Sequence, residues 1–308
     1  MSELILHHYP PSPVSEKVRA GLGIKKATWQ SCEQNRLPDR PELFVLTGGY
    51  RRIPVLQIGA DIYCDTMVIL TELNERIPEP TLFPNNGAGL PYALGRWTDV
   101  ELFGSAVRAA FAPAVESLPE ALVADRARLY LGPTGDFRKE AVDMPHTLAQ
   151  LRAQLGWIDT RLSTGRKFML ADEPGYPDLL IWHIIWFVRG RYGDADVFLS
   201  EFPMIEAWEA RMRDIGHGTS TDISMADALA VAKATDPAMP ESADPRDPQG
   251  LTPGMNVTVA PTTDSGDPEV TGKVHAVSRD RIVLKRDTAE AGAVCVHFPR
   301  VGYRVTIV

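Results

Sequence analysis

The sequence predicts three structural classes in succession: an α/β domain, an all-helical bundle and a small all-β, barrel-like domain. Three observations carry this reading. Short apolar β-runs alternate with helical patterns as far as residue 80. Strand signals then vanish for about 140 residues, in which apolar positions recur at spacings of three and four. From residue 251 the pattern changes again, to five short alternating runs separated by turn residues.

Residues 3–7 (ELILH) suit a short buried strand, and the Pro-rich turn YPPSPVS at 9–15 leads into a helical stretch carrying Val18 and Leu22. ATWQSCEQ (27–34) suits a second strand, whereas the polar passage to residue 50 shows no regular pattern. IPVLQIGADIYC (53–64) holds two β-rich runs around Gly-Ala-Asp, a hairpin signal. It runs directly into DTMVILTELNERIP (65–78), with Asp65 placed as an N-cap and Val68, Ile69 and Leu73 as an apolar stripe. Residues 1–80 are therefore expected to form an α/β domain with a mixed sheet.

EPTLFPNNGAGL (79–90) has linker composition. Helices are expected at 91–115, 147–162, 177–189 and 203–214, within a helical domain over 90–235. Leu148, Leu151, Leu155, Ile158 and Leu162 mark one face of the second of these. DPAMPESADPRDPQG (236–250) reads as an exposed linker. MNVTVA, EVTGKVHAVS, RIVLKR, AVCVHF and YRVTIV are the five expected strands of a barrel or roll over 251–308.

Composition narrows the function classes. The chain has 308 residues, 44% of them hydrophobic and 23% charged, with a formal charge of −8. That balance argues against a general affinity for nucleic acid or an anionic membrane. The last domain, with seven Lys/Arg against six Asp/Glu, lacks a basic footprint of its own. Cys32, Cys64 and Cys295 form no CxxC pair and fit a reducing compartment. MSELILHHYPPSPVSEK has no signal-peptide pattern, and the longest apolar patch, LLIWHIIWFV at 179–188, is too short to span a bilayer. A cytoplasmic protein is expected.

Candidate chemistry concentrates in two segments. The first is Ser12-Pro13-Val14-Ser15-Glu16-Lys17-Val18-Arg19, at a strand-to-helix junction where backbone N–H groups and the positive helix end face one spot. A hydroxyl or thiol there stabilises an anion such as a thiolate; Ser12 and Ser15 can equally be plain turn and N-cap residues. The second is Arg52-Ile53-Pro54-Val55-Leu56, followed by Cys64-Asp65-Thr66. Pro54 inside a β-rich run points either to a cis bond that frees the Ile53 backbone to pair with a peptide, or to an edge-strand trans proline. Asp65 and Thr66, at a helix start, can hold an ammonium and a carboxylate or serve as an ordinary cap. His7 and His8 point to opposite strand faces and are not expected to share a metal ion, His183 reads as a packed helix residue, and Gly48-Gly49 reads as a turn. Trp97, Phe103 and Phe111 serve either an apolar pocket or the bundle core.

Taken together, these segments resemble the glutathione transferase family from about residue 3 to 235. S-P-x-S-x-K-V-R is similar to the active-site turn of the classes that use Ser or Cys, R-I-P-V-L to the cis-proline strand, and D-T-M-V-I-L-T-E-L to the helix that follows. F-M-L-A-D-E-P-G-Y-P-D-L-L-I-W and FPMIEAWEARM resemble two later landmarks of the helical domain. The resemblance implies a thioredoxin-like first domain, glutathione as co-substrate, no metal, a small hydrophobic electrophile held by the helical domain, a homodimer and a role in detoxification. It places Ser12 at the catalytic position that activates the thiol. Ile53, before Pro54, would pair its backbone with the cysteinyl part, Asp65 and Thr66 would bind the γ-glutamyl end, and Arg52 would reach the glycyl carboxylate.

The chain also departs from the pattern. Ser12 is not Cys, so mixed-disulfide chemistry is not expected; Tyr9 lies near the position of Tyr-type classes and is a second candidate for the thiol. Gly175 replaces the hydroxyl residue of a helical capping box, leaving Asp178. Lowering a thiol pKa by two units takes about 2.7 kcal/mol. One hydrogen bond to a charged group supplies about 1.5–3 kcal/mol and a helix end about 0.3–1. A rival reading is a non-catalytic binding or assembly protein that uses its β-domain as a contact surface.

Overall fold

The computed structural model describes residues 3–84 and 87–308. They form two compact units: one of residues up to Ser15, Thr28–Glu72 and Thr219–Val308, the other of Glu16–Ala27 and Leu73–Gly218.

The first unit is built on one sheet among the described residues. Its strands are β1 (Leu4–His8), β2 (Thr28–Glu33), β3 (Val55–Ile58), β4 (Asp61–Cys64), β5 (Thr219–Asp222), β6 (Asn256–Pro261), β7 (Val270–Val277), β8 (Arg281–Thr288), β9 (Gly292–Pro299) and β10 (Tyr303–Ile307). They lie in the order β10-β6-β7-β8-β9-β4-β3-β1-β2-β5. β1 is buried along its whole length and runs parallel to β2 and antiparallel to β3, which explains the apolar Leu4-Ile5-Leu6 that opens it.

The helices are α1 (Pro13–Ile24), α2 (Pro41–Thr47), α3 (Thr66–Arg76), α4 (Gly89–Trp97), α5 (Phe103–Phe111), α6 (Glu120–Leu131), α7 (Phe137–Val142), α8 (Met144–Leu162), α9 (Tyr176–Arg191), α10 (Ala195–Leu199), α11 (Pro203–Ile215) and α12 (Met225–Lys233). A π-turn over Thr98–Leu102 joins α4 to α5.

The thioredoxin-like part, the helical part and the five C-terminal strands are all present. The structure adds a junction between the first and the last. β9 runs parallel to β4, pairing Asp61 with Cys295, Ile62 with Val296 and Tyr63 with His297. Leu43, Leu46, Val55 and Ile62 share one core with Val257, Ile282, Leu284, Val296 and Phe298. The pairing protects an otherwise open edge on β4. It also buries Asp61, which accepts from His297 Nε2 at 2.8 Å and from the Ala238 amide at 2.8 Å.

By compactness, residues 219–308 group with the sheet of the first unit. The 236–250 segment is largely exposed but tied down, with Ser242 bridged to Ala276. Among the elements not marked by the sequence pattern are β5 and α2. β5 (TSTD) is exposed throughout and joins β2 through its backbone alone. α2 lies in the passage that showed no regular pattern; Pro41 opens it, and Gly48, in the left-handed region at φ 77°, closes it.

In the second unit α9 is buried on nearly all sides, as its continuous apolar run requires. Leu151, Leu155, Ile158 and Leu162 of α8 are buried. Phe103 and Phe111 both pack on Phe187 and belong to the bundle core, and Trp97 donates to Gln154 at 2.8 Å. The charged half of the S-P-x-S-E-K-V-R run is structural here. Glu16 accepts from Trp182 Nε1 at 2.8 Å and Arg19 Nη2 at 2.8 Å and pairs with His217 at 2.9 Å, while Lys17 pairs with Asp99 at 2.5 Å.

Half of the capping box of α9 survives: the Asp178 carboxylate accepts from the Gly175 amide at 3.0 Å, and glycine has no side chain to return the bond. A Cβ on Gly175 would come within 2.8 Å of the Leu82 carbonyl oxygen and of Pro84 Cδ. Gly175→Ser is therefore expected to lower stability by about 1–3 kcal/mol rather than restore the box. An unchanged or raised urea midpoint would contradict the contact.

Buried histidines set an acid limit: His297, lowered by burial, adds to the effect of His7 and His183. Burial lowers His7 to about 4 against its hydrogen bond to Gln57. Burial and the Lys17 charge lower His183 to about 4 against the pull of Asp99. In the unfolded chain both take up protons near pH 6.5. The unfolded state then binds more protons, so stability falls as the pH drops from 6.5 toward 4. Asp178, raised to about 6 by burial, binds its proton earlier in the folded state and offsets part of this. The expected net slope between pH 6 and 4.5 is roughly 1–3 kcal/mol per pH unit, read from urea midpoints. A midpoint that does not move across that range would contradict it.

Candidate active site

The sheet register brings the predicted segments to one end. His7, Val55 and Cys64 lie side by side across β1, β3 and β4. The chain therefore leaves β1 for Ser12, enters β3 from Ile53–Pro54 and leaves β4 for Asp65–Thr66 at the same edge. Parallel pairing of β9 with β4 sends the end of β9 there too.

Ser12 precedes α1 and is 2% exposed. Its Oγ accepts from the Ser15 amide at 3.1 Å, which makes it the N-cap, and its own amide donates to the Tyr9 carbonyl at 3.1 Å. A serine hydroxyl has one proton and two lone pairs, so this cap leaves the Ser12 O–H able to donate. The Ser15 hydroxyl is buried and has no hydrogen-bond partner among the described residues. Tyr9 is half-buried, its ring against the core of β3, β4 and the C-terminal strands.

The Ile53–Pro54 bond is cis. Among the described residues the Ile53 N–H and C=O have no hydrogen-bond partner. Thr66 opens α3 and is buried. Asp65 caps this helix through Oδ1, which accepts from the Met67 amide at 2.8 Å. It does so at φ 91°, a conformation that costs a non-glycine residue about 1–3 kcal/mol and clusters at functional sites.

Two of the expected binding residues are engaged by the C-terminal region, Asp65 by Tyr303 at the start of β10 and Arg52 by the loop between β6 and β7. Tyr303 donates from its hydroxyl to Asp65 Oδ2 at 3.2 Å, and its oxygen lies 3.2 Å from the Tyr50 hydroxyl. Arg52 Nη2 donates to Asp267 Oδ2 at 2.7 Å, Ser265 Oγ at 2.8 Å and Thr263 Oγ1 at 3.2 Å. The Asp267 side chain is 4% exposed and has Arg51 Nε 3.8 Å away as well. Burial alone would raise its carboxyl, but the hydrogen bond and charge of Arg52 outweigh this and hold it below the ordinary value. Sequence reasoning missed Tyr50, Tyr303 and Asp267. No local pattern marks them, because their partners lie up to 253 positions away.

Cysteine chemistry has no support at this site. Cys64, next to Asp65, is fully buried, and burial and the Asp65 charge push its thiol well above the ordinary value. Burial raises Cys32 to about 11 and Cys295 to about 12. Among the described residues no cluster of His, Cys, Asp and Glu suits a metal ion, and no helix is long and apolar enough to cross a membrane.

Residues 6–81 match the family model for the glutathione S-transferase N-terminal domain. A solved GST-like protein from Pseudomonas syringae is 32% identical over 100% of both chains, with a TM-score of 0.82. The chain belongs to the glutathione S-transferase family. The match to the Pseudomonas protein takes in the C-terminal strands, so that arrangement is shared by a second GST-like chain. Two further structures are similar in fold. Glutathione transferase GSTFuA3 from Phanerochaete chrysosporium is 17% identical, with a TM-score of 0.58 over 70% of this chain and 98% of its own. The tau-class glutathione S-transferase of mango, Mangifera indica, is 16% identical, with a TM-score of 0.52 over 70% of this chain and 92% of its own. No curated protein sequence matches the chain.

Proposed function

We propose that this GST-family protein binds glutathione at the end of its sheet and ionises the thiol for attack on a small hydrophobic electrophile. The observation that carries the reading is the convergence there of a buried hydroxyl with a proton to give, a backbone pair without partners and a strained helix start. Ser12 donates to the sulfur as the thiol gives its proton to solvent water, and the first turn of α1 adds its N–H dipoles. The Ile53 N–H and C=O pair with the cysteinyl backbone and hold the sulfur at that hydroxyl. Asp65 and Thr66 face the γ-glutamyl end and Arg52 the glycyl end. The thiolate then forms the new carbon–sulfur bond as the electrophile's leaving group departs with its electron pair, or adds to an activated double bond whose resulting carbanion takes a proton from water. Rate comes from positioning and from the raised thiolate fraction.

The same reading carries a homodimer, a cytoplasmic location and a role in detoxification. Its test is a conjugation assay with glutathione and an activated aryl halide, run on the wild type and Ser12→Ala. Thiol-dependent turnover that falls in the variant supports it; a wild type with neither turnover nor glutathione affinity removes it.

A further inference from the structure

The residues expected to receive the two charged ends of the tripeptide already have partners of the right chemistry within the chain. Arg52, placed for a carboxylate, holds the carboxylate of Asp267 at 2.7 Å. Asp65, placed for an ammonium donor, accepts from the Tyr303 hydroxyl at 3.2 Å. Asp267 lies in the loop between β6 and β7 and Tyr303 opens β10, and the two are linked. The Thr262 amide donates to the Gly302 carbonyl at 2.9 Å, which ties the loop carrying Thr263, Ser265 and Asp267 to the residue before Tyr303. Ser265 donates to Asp267 and accepts from Arg52, so the carboxylate is held in place rather than resting on the arginine by chance. Ser12 and Ile53, which would handle the middle of the peptide, have no such substitute.

We infer that Asp267 and Tyr303 are internal competitors for the glutathione ends, and so are affinity- and specificity-determining residues of this site. The inference rests on the glutathione reading above. Binding then exchanges Asp267 for the glycyl carboxylate on Arg52 and the Tyr303 hydroxyl for the γ-glutamyl ammonium on Asp65. While the internal contacts persist, the site recognises chiefly the cysteinyl part and is nearly blind to the glycyl carboxylate.

Calorimetric titration of the full chain with glutathione and with its glycyl ethyl ester tests this, using wild type, Asp267→Asn and Tyr303→Phe. The wild type is expected to discriminate less than threefold between the two ligands. Asp267→Asn, which keeps a hydrogen-bonding side chain but removes the competing charge, should bind glutathione roughly tenfold more tightly and prefer it over the ester by a similar factor. Tyr303→Phe should tighten both ligands by roughly threefold to tenfold without creating that preference. It still decides the matter if Asp267→Asn does not fold. Wild-type binding that neither variant alters overturns the competition while leaving the glutathione reading intact. Absence of glutathione binding in the wild type and both variants overturns the reading itself.

Discussion

Asp178→Ala is expected to lower the free energy of unfolding by about 3–5 kcal/mol, enough to abolish most of the stability of an ordinary domain. One carboxylate serves three donors: the Met169 amide at 2.9 Å, the Gly175 amide at 3.0 Å and the Trp208 indole at 2.9 Å. All three bonds are buried, so alanine leaves donors in an apolar interior that water cannot reach. Each orphaned donor costs about 1–3 kcal/mol, and the sum is partly offset by removing a carboxyl whose burial is itself unfavourable. The contacts join the segment before α9, its first turn and α11, so the loss should appear as a lower urea midpoint of the helical unit. Asp178→Asn should fall between, since one amide oxygen still accepts while its NH2 group faces other donors. A midpoint for Asp178→Ala within experimental error of wild type would show that the three bonds contribute little.

Ser12→Ala should lower kcat/KM for glutathione conjugation by roughly 10–100-fold, corresponding to about 1.4–2.7 kcal/mol of lost thiolate stabilisation. The same change removes the N-cap bond to the Ser15 amide and should lower stability by about 1 kcal/mol. Ser15→Ala separates the two effects. Its hydroxyl has no partner among the described residues, so its removal should leave stability unchanged or slightly raised and keep activity near wild type. Should Ser15→Ala lose activity as Ser12→Ala does, the thiol-activating hydroxyl has been assigned to the wrong residue. Should Ser12→Ala lose stability but no activity, Ser12 is a cap and nothing more.

How far the sequence reveals the structure differs from element to element. β1, β3, β4, α8 and α9 are legible because their apolar residues follow the periodicity or the unbroken runs that burial demands. β5 is not, since four polar, exposed residues join the sheet through backbone bonds that any side chain permits. The five C-terminal strands are legible one by one, but their attachment to β4 is not: a parallel pairing between residues more than 230 positions apart leaves no local trace. At the site, the strand-to-helix junction at Ser12 and the proline within a β-run are local signals; the structure shows a capped helix start at the first and, at the second, the cis bond, one of the two forms the sequence leaves open. Arg52 and Asp65 could be named, yet their partners Asp267 and Tyr303 could not, because those contacts come from a loop and a strand more than 200 positions further along the chain. The capping box illustrates the reverse case. Gly175 looks like a defect in sequence, whereas in the structure only a residue without a Cβ allows the Leu82 carbonyl to approach.

The most direct measurement is an ultraviolet difference titration of the thiol of glutathione bound to the full chain, wild type beside Ser12→Ala. An apparent thiol pKa about two units below the free value near 8.5 is expected in the wild type, with a return of at least one unit toward it in the variant. A bound thiol that titrates like free glutathione, or one whose lowered pKa survives the loss of the Ser12 hydroxyl, would contradict it.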